Sequence, residues 1–145
     1  MHRAEATLAD SFVTVGNGHR EEADVFHTCW TLATMSREHV LAPVVDRYSE
    51  QGVGDDVDEP ERLHAAGLAE VRTGGVGLLR DLQDLFLLAT LVQTSWTVLY
   101  QAGQGARDRE LIGLAERCNA ETSRQLTWLN TRMKAAAPQA LLVSP

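Results

Sequence analysis

The chain has 145 residues, 44% hydrophobic and 23% charged, and carries a net charge of −7. That length suits one domain, residues 1–145, with enough interior to fold without staples. The negative balance and the lack of any Lys/Arg cluster exclude nucleic acid and an anionic membrane surface as partners, because both are recognised by a concentrated basic face.

Met1-His2-Arg3-Ala4-Glu5 has neither the apolar stretch nor the cleavage site of a signal peptide, so a cytoplasmic protein is expected. The longest apolar run, Leu85 to Val92, is far short of the about 20 residues that a bilayer span needs. Cys29 and Cys118 are the only cysteines and have no C-x-x-C spacing, so they read as small buried hydrophobes.

Taken in chain order, Leu8, Phe12, Val15, Ala23, Phe26, Cys29, Trp30 and Ala33 share one stripe at about 100° per residue. The phase passes through Gly16-Asn17-Gly18, which favours one helix from Glu5 to Met35. The rival reading is that Gly16 or Gly18 caps a short first helix. On the continuous reading His19 lies within about 20° of the apolar centre and Glu22 within about 40° on its other side. A buried carboxylate must be paired or coordinated, so His19 and Glu22 either bind each other or share a metal.

Ser36 caps a new helix on this reading, and Ser36 to Glu50 with Glu61 to Arg72 makes an interrupted second arm. Between its two parts Asp55-Asp56-Val57-Asp58-Glu59 lacks EF-hand spacing and reads as a solvated connector. Val76 to Ala102 and Asp108 to Ala136 are each about 40 Å long and are joined by a short glycine-containing turn, which implies antiparallel neighbours. Asp108 is the expected N-cap and Pro138 the expected stop. The fold expected is therefore an all-α, antiparallel up-down-up-down four-helix bundle.

Glu61-Arg62-Leu63-His64 is an E-x-x-H on the second arm, and Glu22 points inward from the first. With the bundle layout, these residues resemble the ferritin-like di-iron carboxylate bundles. The resemblance implies an interior metal site, iron first, with His19, Glu22, Glu61, His64 and Glu121 as ligands and dioxygen or peroxide chemistry if iron occupies it. The fourth helix departs from the pattern: Glu121-Thr122-Ser123-Arg124 has arginine where the second histidine belongs. Asp81 on the third helix falls near Arg132 and reads as its ion-pair partner. His27 and His39 lie off the central stripe. The competing function is a non-catalytic interaction or assembly protein without metal.

The third helix carries two apolar stripes. Leu78, Leu82, Leu85, Ala89, Val92, Trp96 and Leu99 form one; Leu87, Leu91, Thr94 and Val98 form a second about 180° away. Either the Ser36 to Arg72 arm covers the second stripe or another copy of the chain does, giving a homo-oligomer.

Overall fold

The computed structural model describes residues 2–42 and 67–142. These residues are all helical apart from short connections, with α1 at His2–Gly18, α2 at Ala23–Val40, α3 at Gly74–Ala106 and α4 at Arg109–Leu142. α1 packs on α2 and α3 on α4; α1 also lies on α3, and α2 touches α4.

The expected continuous first helix is two helices. Gly16 and Asn17 stay wound and Gly18 ends α1, after which the chain turns through residues 19–22. The amides of His19 and Glu22 bond the carbonyls of Val15 and His19 at 3.1 and 3.0 Å. Exposed Arg20 and Glu21 keep this turn in water. The core side shifts at this turn, from Leu8, Phe12 and Val15 on α1 to Val25, Cys29 and Leu32 on α2, so Ala23 and Trp30 of the stripe read through the glycines lie outside it. The glycines admit close neighbours: a Cβ on Gly16 would stand 3.0 Å from Cys29 Cβ, and one on Gly18 would overlap Val71.

Ser36 caps nothing, because it is buried within α2, which runs on to Val40. α2 is therefore the second helical arm. The core side of α2 is Val25, Cys29, Leu32, Ala33 and Ser36, while Ala23 and Trp30 are exposed. Of the expected helix Glu61 to Arg72, residues 67–72 are not helical, and Glu61 and His64 lie outside the described residues.

Gly75 lies against Ala140, Gln93 Nε2 donates to Ser123 Oγ at 2.9 Å, and Gly103 packs on Ile112. The expected glycine turn at residues 103–105 is inside α3. The chain reverses instead at Arg107, in the left-handed region at φ 54°. Asp108 caps the next helix as expected, its Oδ1 accepting from the Leu111 amide at 3.2 Å. Pro138 does not stop α4, which continues to Leu142. Proline removes one backbone bond, but Ala136 is buried before it and Ala140 packs on Gly75 after it, so the last turn stays wound.

The core is Leu8, Phe12, Val15, Val25, Cys29, the α3 stripe from Leu78 to Trp96, and Leu111, Leu114, Ala115, Cys118 and Leu129. Both cysteines are free and buried. Burial raises the Cys29 thiol to about 12, and Asp24 adds to the effect. No described helix is long and apolar enough to cross a membrane.

Candidate functional site

Two polar clusters interrupt this core. The first is built on Glu5, which follows the α1 stripe one turn before Leu8 and Ala9 and is fully buried. Its Oε1 accepts two hydrogen bonds, from His39 Nδ1 and from Trp96 Nε1, both at 2.7 Å. The opposite edge of the same imidazole donates from Nε2 to Glu121 Oε2 at 2.5 Å. His39 is 3% exposed, whereas the Glu121 side chain is 27% exposed and reaches solvent.

His39 is thus a cation held between two carboxylates. Burial alone would push its pKa down, but contact with the Cys118 side chain and the bonds to Glu5 and Glu121 outweigh burial and raise it to about 10. With both carboxylates ionised the cluster carries one net negative charge. Oε2 of Glu5 is buried with no hydrogen-bond partner. Beside the cluster, Gln125 Nε2 donates to Leu32 O and to Ser36 Oγ at 3.2 and 2.8 Å, tying α4 to α2.

The second cluster closes the end of α1. His19 is buried, as expected, but its partner is Asp81: Nε2 donates to Oδ2 at 2.8 Å. The same Oδ2 accepts from the Arg72 amide at 3.0 Å, and Arg72 Nη1 donates to Asp81 Oδ1 at 2.7 Å and to Asp84 Oδ2 at 2.9 Å. Asp81, fully buried, therefore anchors the non-helical residues before α3. The Leu68 amide fixes their other end by donating to Ser11 Oγ at 3.1 Å. Two expectations are corrected here. Glu22 does not point inward with His19; its side chain is 46% exposed and pairs with Arg132. Arg132 bonds Asp24 at 2.7 Å and leaves Asp81 alone, because α1 ends before Glu22 and the charges at residues 22–24 turn outward to α4.

The dinuclear ligand set implied by the ferritin-like resemblance does not fit. His19, Glu22 and Glu121 go to three different partners, α3 brings the indole of Trp96 rather than a carboxylate to the Glu5 centre, and Arg124 is exposed. Among the described residues, no three His, Cys, Asp or Glu side chains are grouped to hold a metal ion as they stand. Glu5, His39 and Glu121 come from three helices, with the two carboxylates on opposite edges of the imidazole and one Glu5 oxygen unmatched.

Comparison with protein-family models, curated proteins and solved structures finds no match to this chain. The centre rests on its own residues. Glu5 and His39 escaped the sequence reading although the signal was there: Glu5 precedes Leu8 and Phe12 by three and seven residues, and His39 continues Val25, Cys29, Leu32 and Ser36 at alternating spacings of four and three. Phase carried from Leu8 across the turn places His39 off the stripe, because the core side shifts between α1 and α2.

Proposed function

We propose that the protein is an antiparallel up-down-up-down helical bundle that exchanges the Nε2 proton of His39 for a divalent metal ion between His39 and Glu121, with Glu5 holding the opposite edge of the ring. The observation that carries this reading is a buried imidazolium between two carboxylates, one of which keeps an oxygen without a donor. Two carboxylates and a protonated imidazole leave one negative charge in a low-dielectric interior; two carboxylates, a neutral imidazole and a dication leave none. Burying uncompensated charge is costly, so the exchange is favourable wherever the imidazole proton is given up readily. The arrangement described above is the protonated form, with both ring nitrogens donating.

In the exchanged form Glu121 would supply oxygen and His39 its Nε2, donors that iron(II) and zinc(II) both accept, while Glu5 would keep the Nδ1 proton and orient the ring. The protein's own part is to hold those groups on three helices, to orient Glu5 through the Trp96 indole, and to exclude water from all but the Glu121 edge. The bound ion would supply Lewis acidity.

The test is elemental analysis of purified protein after equilibration with iron(II) or zinc(II) at pH 8, beside Glu121→Gln and His39→Gln. A near-stoichiometric ion lost in both variants is expected. Trace metal unchanged by either substitution ends this reading.

A second reading is self-association without metal, which one observation favours. On α3, Leu87 is 42% and Val98 67% exposed, with Thr94 exposed and Leu91 half-buried between them. A second copy of the chain laid on this stripe would bury it. On that reading Leu91→Glu converts a dimer to monomers by light scattering, and an unchanged mass removes it.

A further inference from the structure

One long face of α3 carries no charge. From Leu85 to Ala106 the sequence has no Asp, Glu, Lys, Arg or His, although the whole chain is 23% charged. Leu87, Leu91, Thr94 and Val98 of this stretch are exposed or half-buried and lie, by helical period, on the side opposite Leu82, Ala89 and Trp96. A helix that faces water usually carries charged and polar side chains there, whereas depletion of charge marks the centre of a protein interface. On the α4 side of this stripe runs a groove of about 520 Å³, walled by the short side chains of Ala120 and Ser123, and Glu116 is its one charged residue among those described. Residues four and three apart continue the stripe at both ends, through Asp84 and Arg80 one way and Gln101 and Gly105 the other. That spacing is the repeat of paired helices.

Resting on the self-association reading above, we infer that a second copy of the chain covers this face with its own α3 laid antiparallel, about a two-fold axis between Leu91 and Thr94. Such an axis sets Leu87 against Val98 of the other copy, Leu91 against Thr94, Asp84 against Gln101 and Arg80 against Gly105. Each pair is compatible. The Thr94 hydroxyl donates to Leu91 O at 2.8 Å within its own helix, so it brings a methyl group and no unmet donor to the contact. Gln101 offers an amide to the Asp84 carboxylate, and Gly105, with nothing within 4 Å of a Cβ position, leaves room for the Arg80 side chain. Parallel pairing would stack each residue on itself, two Asp84 carboxylates and two Arg80 guanidinium groups included, a repulsion that the antiparallel pairing avoids. Opposed helix dipoles favour the same choice. A different protein that laid a charge here would desolvate it with no counter-charge between Leu85 and Ala106, whereas this stripe complements itself. The area also suffices: α3 and α4 have 33 and 34 residues, and side by side they present a face about 50 Å long and roughly 1,000 Å² in extent, against about 800 Å² per partner in a stable dimer.

Cysteine pairing in the full chain tests the arrangement. Leu87 and Val98 are exposed, so Leu87→Cys and Val98→Cys leave the core intact, and the native Cys29 and Cys118 are buried. The unmodified chain should have the mass of a dimer by light scattering. Under mild oxidation the variant carrying both substitutions should pass almost wholly to a disulfide-linked dimer on a non-reducing gel. Each single variant should stay unlinked, because its two cysteines stand about 16 Å apart along the helix axis, beyond the about 7 Å that a disulfide spans. The two cysteines of one double-variant chain are separated by the same distance, so its links must join copies. A linked dimer in either single variant would mean parallel pairing and overturns this arrangement while leaving self-association standing. A chain that is dimeric by mass but whose double variant does not link overturns it equally. A monomeric mass for the unmodified chain overturns the self-association reading as well.

Discussion

Trp96 and Glu5, 91 positions apart, meet in the centre of the bundle with the indole N–H 2.7 Å from a carboxylate oxygen, and both side chains are fully buried. Trp96→Phe removes that donor and part of the ring's volume, while Glu5 already has one oxygen without a partner. A loss of about 2 to 4 kcal/mol is expected, combining the cavity with the loss of one of the two donors to Glu5 Oε1, which keeps His39. Urea unfolding checks it; a midpoint unchanged from the parent would mean that the indole bond contributes nothing.

Metal-free protein should lose stability in alkali. His39 titrates near 10 in the folded chain against an ordinary 6.5. A raised pKa means that the folded state binds the extra proton, so its contribution is complete below pH 6.5 and disappears as pH rises through 10. The slope between those limits is at most about 1.4 kcal/mol per pH unit, one proton's worth. Unfolding free energies at pH 7, 8 and 9 should fall in order, and His39→Gln should flatten the trend. On the cation reading the ion competes with this proton, so its affinity should increase with pH over the same window.

Two glycine substitutions should move in opposite directions. Gly113→Ala in α4 meets no atom within 4 Å and gains helix propensity, a stabilisation of about 1 kcal/mol. Gly18→Ala places a methyl group inside Val71 and must push the 67–73 segment off α1. Thermal melts of the two variants on either side of the parent are the expected result.

Asp81→Asn weakens the anchor shared by His19 and Arg72, whose backbone amide and guanidinium both bond that carboxylate. The Arg72–Thr73 bond should then be cut by trypsin markedly faster than in the parent, while helix content by circular dichroism stays the same. Equal cleavage rates would show that the segment is held by Val71 and Leu68 alone.

Cys29 should be inert in the native protein. Its thiol is buried and held up to about 12, so thiolate is scarce at pH 8. Labelling at Cys29 by a disulfide reagent, located by peptide mapping, should require denaturant; rapid labelling without it would contradict the burial.

The sequence announced α3 and α4 well because each carries a long apolar stripe of helical period and Asp108 caps the second. It announced the burial of His19 too, since helical phase reports which side of a segment faces the core. Phase does not report whether the axis continues, so it favoured one long helix over the rival in which Gly18 ends a short one, and the rival is what the structure has. The partner of His19 was equally hidden: which carboxylate lies opposite depends on how α1 is laid on α3, a tertiary fact with no trace in local spacing. Pro138 and Gly103 to Gly105 misled for a related reason, as packing against a neighbouring helix overrode their local preference to end one.

The polar contacts Glu5–Trp96, His19–Asp81, His39–Glu121 and Ser36–Gln125 all join the α1–α2 pair to the α3–α4 pair. Each pair is linked by a short connection, whereas these four contacts span 62 to 91 residues. Greasy surfaces alone would let one half slide along the other by a turn; directional bonds in two separate clusters permit a single alignment. Assembly is thus expected in two stages, helix pairs early and mating late, and pulse-labelling would reveal it as amide protection within α3 and α4 that precedes quenching of Trp96.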